Sequence, residues 1–405
     1  MRKLYAKLGV MVSYELTPEQ QDLRDSVAQF AREVVAPVIG GYYERGEFPY
    51  DIVARMGKLG LFGLPFPEEY GGMGGDYFAL CLALEELARV DSSVAITLEA
   101  GVSLGAMPIY RFGTDEQRRQ WLPELCAGER LAAFGLTEPG GGSDIPGGMR
   151  TTAKLEEGVG GVGGHWVVDG SKAFITNAGT SITSLVTVLA ITGRDEQGRK
   201  EISSIIIPNG TAGFVPGQEY SKIGWCASDT RELFFTGCRV PAENLLGERG
   251  RGYAQFLRIL DEGRVAIAAL ATGLAQGCVD ECVRYARQRE AFGRRLDEHQ
   301  AIQFAIADMA ARAHAARLAW YDAAARLVGG QPIKKESAMA KLTASNAAMD
   351  NARAATQVFG GYGFMNTSAV GRFYRDAKVL EIGEGTSEVQ RMLIARELGL
   401  GGASR

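Results

Sequence analysis

The sequence predicts an α+β protein, mainly helical, in three parts: an N-terminal all-helical domain over residues 1–130, a middle β-sheet or barrel domain over 131–245, and a C-terminal helical bundle over 246–405. Three observations predict it. Capped runs with apolar residues at helical spacing fill the first third, short β-rich runs broken by turn residues fill the middle, and long runs of Ala, Arg and Leu with few breakers fill the end. No strand–helix alternation occurs, which argues against a doubly wound nucleotide fold.

In chain order, Thr17-Pro18-Glu19-Gln20 is a capping box with proline at the first helical position. Leu23, Val27, Phe30, Ala31 and Val34 follow at helical spacing. Residues 76–112, rich in Ala, Leu and Glu, predict two helices, and Thr114 with Gln117 repeats the box before Trp121-Leu122. Strands are predicted over 131–137, 165–168, 172–176, 185–191, 201–207 and 232–235, close enough for a compact antiparallel sheet or barrel. Helices over 251–288, 297–328 and 334–358 predict a bundle of long antiparallel helices.

Composition narrows the function classes. A chain of 405 residues with 46% hydrophobic and 23% charged residues can bury a large core. The net charge of −4 suggests no nucleic acid and no anionic membrane as partner. No apolar run reaches the roughly 18 residues of a membrane span. Residues 1–12 are basic and then briefly apolar, but Glu15 follows without a small-residue cleavage site, so a ragged start and a cytoplasmic protein are expected. Cys81, Cys126, Cys226, Cys238, Cys278 and Cys282 are widely spread, and only three histidines exist. Buried free thiols are expected, and no metal site. Gly158 to Gly163 formally matches G-x-G-x-x-G, but a strand-type run follows where a dinucleotide site needs a helix, so a hairpin loop is expected.

Five segments carry chemistry. Thr137-Glu138-Pro139-Gly140-Gly141-Gly142-Ser143-Asp144 ends a strand in a glycine loop, with N–H groups and a hydroxyl open to an anion. Lys172-Ala173-Phe174-Ile175-Thr176-Asn177 offers an aromatic face and a hydroxyl at a strand end. Arg289-Glu290-Ala291-Phe292-Gly293, with Gln300, joins two helices. Gln357-Val358-Phe359-Gly360-Gly361 is a helix end running into a glycine turn. Finally Glu384 stands between Gly383 and Gly385, directly before a helix start, where bare backbone lets a substrate come close.

Together, in this order and spacing, these segments resemble the acyl-CoA dehydrogenases over nearly the whole chain. The resemblance implies FAD held between the β-domain and a C-terminal four-helix bundle. It implies that Thr176 meets flavin N5, that Phe174 lies beside the ring, and that Leu136 and Thr137 touch the pyrimidine edge. Arg289, Phe292, Gln300, Gln357, Gly360 and Gly361 resemble the set that reaches FAD from a neighbouring subunit, which implies a homotetramer. Thr386 and Glu388 resemble contacts to the adenine half. Ser143, Asp261 and Arg264 resemble residues holding the CoA portion. Glu384 then takes the α-proton of an acyl-CoA while a β-hydride passes to the flavin, giving a trans-2-enoyl-CoA. Electrons leave to an electron-transfer flavoprotein.

Some relatives carry the base on a bundle helix, immediately before the arginine matched by Arg264. Gly263 stands there, and Glu262, one residue earlier, is expected to point elsewhere. Cys226 stands where many relatives have arginine, and Gly383 where straight-chain members often have tyrosine. The second change opens space beside the reacting carbons and suggests a branched or bulky acyl group. Two rival readings are an acyl-CoA oxidase using oxygen, which the short length disfavours, and a noncatalytic acyl-CoA- or FAD-binding scaffold, which has no need of a base.

Overall fold

Thr17 caps the first helix as its spacing to Gln20 predicts: Thr17 Oγ1 accepts from the Gln20 N–H at 3.2 Å, and Gln20 Oε1 accepts from the Thr17 N–H at 3.1 Å. The computed structural model describes residues 15–158 and 163–401. The expected ragged start and the tip of the glycine-rich hairpin, residues 159–162, lie outside the described residues.

Helix α1 (Pro18–Phe30) continues as a π-helical turn, Ala31–Val35. Short helices α2 (Ile39–Arg45) and α3 (Tyr50–Lys58) follow. The two helices predicted over 76–112 are α4 (Tyr77–Ala88) and a continuous run made of α5 (Ser92–Glu99), a π-helical segment (Ala100–Ala106) and α6 (Met107–Phe112). Asp91 caps that run by accepting from Ser93 N–H at 2.9 Å. The second predicted capping box forms at Thr114 and opens α7 (Asp115–Cys126).

The middle of the chain forms one eight-stranded sheet. Its strands are β1 (Leu131–Gly135), β2 (Thr152–Glu157), β3 (Gly164–Thr176), β4 (Thr183–Arg194), β5 (Lys200–Pro208), β6 (Phe214–Glu219), β7 (Thr230–Pro241) and β8 (Leu245–Leu246). The short helix α8 (Ile145–Gly148) follows β1. The strand order is β6-β7-β3-β2-β4-β5-β8, with β1 beside β4. The sheet is mixed, correcting the antiparallel expectation: β1 and β2 run parallel to β4. Both are followed by chain long enough to cross back, which a parallel pair requires. The strands predicted at 165–168 and 172–176 are one strand with irregular pairing at Asp169 and beyond Lys172. Three strands were not predicted. β2 is mostly exposed and charged, β6 carries Pro216 and Gly217 at the sheet edge, and β8 has only two residues. The flanks of the glycine-rich segment pair as an antiparallel hairpin, Glu157 opposite Gly164.

The last part is built on α9 (Gly252–Gln288), α10 (Gln300–Val328), α11 (Lys334–Phe359) and α12 (Ala369–Leu380), followed by α13 (Ser387–Glu397). A small hairpin, β9 (Glu290–Ala291) with β10 (Arg294–Arg295), joins α9 to α10. Helix α9 packs on α10, α11 and α4. Gly273 and Gly277 let α4 come close, since a Cβ on either would run into a backbone carbonyl of Glu85 or Arg89. Ser92–Phe112 and Gly252–Gln288 are long and apolar enough to cross a membrane by length and composition, contrary to the reading that no run is. Their apolar windows are 94% and 83% buried inside this fold, so the core accounts for that composition.

Candidate active site

The turn between α12 and α13 presents a carboxylate in a backbone state that favours glycine. Glu384 has φ +52° and Gly385 φ +92°; such a φ costs a residue with a Cβ roughly 1–2 kcal/mol. The turn is held from several sides. The Ile382 and Gly383 N–H groups both donate to Val379 O, at 2.9 and 2.8 Å. Ser345 Oγ donates to Leu380 O at 2.8 Å. Gln390 Nε2 donates to Gly385 O at 2.8 Å and to Glu384 O at 3.3 Å, and Lys341 Nζ donates to Gly385 O at 2.8 Å. Thr386 caps α13 by accepting from Val389 N–H at 3.3 Å.

From this turn the Glu384 side chain reaches α9 at Gly263. A Cβ built on Gly263 would lie 2.5 Å from Glu384 Oε2 and 3.5 Å from Leu104 Cδ2. Glu384 Oε2 is buried and, apart from the Glu99 carboxyl, meets no hydrogen-bonding group, and both oxygens of the fully buried Glu99 beside it likewise meet no donor. Burial pushes the Glu384 carboxyl up to about 7, while Glu99 and the charges of Lys341 and Arg264 draw it down. Burial, and then the charge of Glu384, push Glu99 well above the usual carboxylate range. Two ionised carboxylates cannot bond each other, so their contact is a hydrogen bond only when one of them holds a proton. A carboxylate just before a helix start is favoured as the anion, yet burial moves this one the other way.

Around this pair the structure brings together part of the expected set. Arg264, almost fully buried, pairs with Asp261, and its Nε has no partner. Glu262 points elsewhere, as expected: it pairs with Arg111 at 3.1 Å. Gly383 is open, its virtual Cβ meeting only Val379 O at 3.5 Å. Glu388 lies exposed on α13, paired with Arg391 at 3.3 Å.

A second group sits where β1 and β3 end. Leu136 is buried, Thr137 and Thr176 are half-buried, and Thr137 O accepts from the Ala173 N–H at 2.8 Å. Phe174 has φ +61° and is 66% exposed, tilted against Tyr220 at 5.3 Å between ring centroids. Below them the buried Lys172 donates to Glu138 Oε1 at 2.8 Å and to Leu136 O at 3.3 Å. Burial draws Lys172 down to about 8 against the pull of Glu138. The glycine loop is less open than its composition implies: Gly141 N–H is taken by Glu138 O at 3.0 Å, and Asp144 caps α8 through Gly147 N–H at 3.1 Å. Ser143 stays exposed.

Arg289, Phe292, Gln300, Gln357, Gly360 and Gly361 are all exposed. They lie where α9 and α11 end and α10 begins, one end of an antiparallel bundle. Glu384 meets α9 at Gly263, about 26 residues and roughly 40 Å of helix away. Within one chain these two groups do not come together.

Next to Cys226 lies the buried Asp376, which is held by neutral donors. Asp376 accepts from Tyr43 OH at 2.6 Å, Ser92 Oγ at 2.7 Å and Trp225 N–H at 2.7 Å. Cys226 Sγ itself turns to Lys222 O at 3.4 Å. Sequence reasoning missed Glu99, Lys341, Gln390 and Lys172. A signal existed for Lys341, which stands on the buried Ser337, Ala340, Ala344, Ala348 stripe of α11, where a lysine is out of place.

The model for the N-terminal domain of acyl-CoA dehydrogenases matches residues 17–129, that for the middle domain residues 133–238, and that for the C-terminal domain residues 250–399. A probable acyl-CoA dehydrogenase of Bacillus subtilis, YngJ, is 45% identical over 387 residues, covering 96% of this chain and 100% of that protein. Butyryl-CoA dehydrogenase from Megasphaera elsdenii superposes with a TM-score of 0.90 at 40% identity, covering 95% of this chain and 99% of that one. The same values describe a chain solved in work on the electron transferring flavoprotein of Acidaminococcus fermentans and flavin-based electron bifurcation.

Proposed function

The chain belongs to the acyl-CoA dehydrogenase family of oxidoreductases, and from that premise we propose that Glu384 removes the α-proton of a short-chain acyl-CoA. The observation that carries the role is the Glu384 carboxyl itself. Its Oε2 is buried over the gap left by Gly263, and desolvation moves the carboxyl to about 7, near the acidity a base needs at neutral pH.

The residues suit the chemistry around it. An acyl-CoA α-proton becomes removable when donors polarise the thioester oxygen as enolate charge develops. Among the described residues the Glu384 N–H bonds no acceptor within the chain, which leaves it free to serve as such a donor. Arg264 and Asp261, with exposed Ser143, are the proposed CoA contacts. Glu99 stays protonated and bonds the base without competing for the substrate proton.

The residues also suit FAD. Phe174 and Thr176 offer a ring face and a hydroxyl beside Leu136 and Thr137, and no atom lies within 4 Å of a Cβ on Gly360 or Gly361, so backbone is free to meet a bulky anion. When bound, FAD supplies the acceptor for the β-hydride. The exposed Arg289, Phe292, Gln300, Gln357, Gly360 and Gly361, so far from Glu384, serve a neighbouring chain's cofactor, which makes the protein a homo-oligomer, a tetramer on the family pattern. Thr386 and Glu388 are the proposed adenine-side contacts. The relative solved in work on an electron transferring flavoprotein supports such a protein as the electron acceptor.

Chain length follows the butyryl-CoA relative, and open Gly383 leaves room for a branch. The test is anaerobic mixing of the yellow holoenzyme with butyryl-, isobutyryl- and octanoyl-CoA. Bleaching is expected with the first two. In Glu384→Gln, FAD content should persist while bleaching slows by at least about 10²–10⁴-fold. Bleaching of that variant at the wild-type rate overturns the role of Glu384.

A further inference from the structure

We propose that Lys341 is a positioning residue for the base: from helix α11 its ammonium pins the Gly385 carbonyl and so holds Glu384 over Gly263. The inference rests on the reading of Glu384 as the base.

Lys341 is 0% exposed. Burying an ammonium costs several kcal/mol unless something compensates it. An apolar side chain would fill this part of α11 more cheaply, as the alanines along the same stripe do. Yet among the described residues Lys341 forms no ion pair within 4.0 Å, and its hydrogen bond is the one to Gly385 O, at 2.8 Å. The charged groups that face it are Glu384, Glu381 and Glu388 from the turn and α13, and Arg264 from α9. Its charge is therefore aimed at the turn, not at packing partners.

Gly385 O is a saturated acceptor. Lys341 Nζ and Gln390 Nε2 both donate to it at 2.8 Å, and Gln390 also takes Glu384 O at 3.3 Å. Two donors on one carbonyl oxygen use both of its lone pairs. The peptide that follows Gly385 is thereby locked, and with it the pair of positive φ values at Glu384 and Gly385. A turn in that state relaxes when its restraints are removed. The Glu384 carboxyl would then leave the space over Gly263.

The same ammonium acts through charge. Burial draws Lys341 down to about 8, while Glu384 holds it up, so it is mainly cationic at pH 7. A cation beside Glu384 favours its carboxylate. Without it Glu384 should hold its proton to higher pH.

The test compares holoenzymes of Lys341→Met, Lys341→Arg and Glu384→Gln with the wild type. Flavin reduction is followed anaerobically across pH, and the Glu384 carboxyl is titrated directly by carbon-13 NMR. In Lys341→Met, FAD content should hold, reduction at pH 7 should fall by about 10²-fold, and the acid limb and the NMR midpoint should both rise by about one unit. Lys341→Arg keeps the charge but replaces a compact ammonium with a longer, planar guanidinium, so the limb should stay in place while the rate falls by about 10-fold. A wild-type rate and limb in Lys341→Met overturns the proposal. If that variant does not fold, a wild-type rate in Lys341→Arg overturns it. The two readings fail separately: rapid reduction in Glu384→Gln removes the base itself, whereas a slow Glu384→Gln beside a normal Lys341→Met removes only the role of Lys341.

Discussion

Among the described residues no cation lies within ion-pair distance of Glu99, and burial with the charge of Glu384 pushes its carboxyl well above the usual range. The base works as carboxylate, so rate should rise with pH through about 7, the value to which burial moves Glu384. Protonated Glu99 bonds that carboxylate and stabilises it. Glu99→Gln keeps a neutral donor, so its acid limb should stay within a few tenths of a unit of wild type. Glu99→Leu removes the donor, so the limb should move up by about one unit. A limb that stays put in Glu99→Leu, read from kcat/KM across pH, would deny Glu99 this part. Glu384 was legible from its glycine neighbours. Glu99 was not, because a glutamate at the end of a short helix reads as a solvated face until the helix is seen to be buried all round.

At the scale of elements, the Glu384 carboxyl is placed by its own turn, by the run that holds Glu99 and by α9. The π-helical segment Ala100–Ala106 follows directly on Glu99, and its i→i+5 bonding brings Glu99 and Leu104 toward the same side. No propensity in the sequence announces that extra residue. Helix α9 contributes by omission: Gly263 leaves the space that Glu384 Oε2 fills. A base placed at Gly263 therefore needs residue 384 cut back, since even a glutamine there would block it. Glu384→Ala with Gly263→Glu should recover flavin reduction over Glu384→Ala alone, yet stay about 10²-fold below wild type. Equal rates in the single and double variants, by stopped-flow, would mean that α9 cannot present a base to the bound thioester.

On the scale of the whole molecule, the bundle separates the exposed set around Arg289 from Glu384, two groups that the proposed reaction needs together. The exposed set around Arg289 lies far along α9 from Glu384, so on the proposed reading a neighbouring chain completes the cofactor site. Arg289→Ala removes a guanidinium suited to bidentate phosphate contact. That variant should lose FAD on gel filtration and shift toward smaller species, while its circular dichroism stays helical. Full FAD content with an unchanged elution volume would separate Arg289 from both roles.

By itself the sequence determined the three-part order, the capping boxes at Thr17 and Thr114, the long bundle helices and a carboxylate, Glu384, between two glycines before a helix start. Each of these is local: caps, helical periodicity and a carboxylate between glycines are written in neighbouring residues. Tertiary structure alone decided the parallel placement of β1 and β2 beside β4, the burial of the two apolar helices within the core, and the company Glu384 keeps. Glu99, Gly263, Lys341 and Gln390 come to it from α5, α9, α11 and α13. Acidity at a buried carboxyl depends on desolvation and on charges a few ångströms away, and both are set by residues far apart in the chain that only folding brings together.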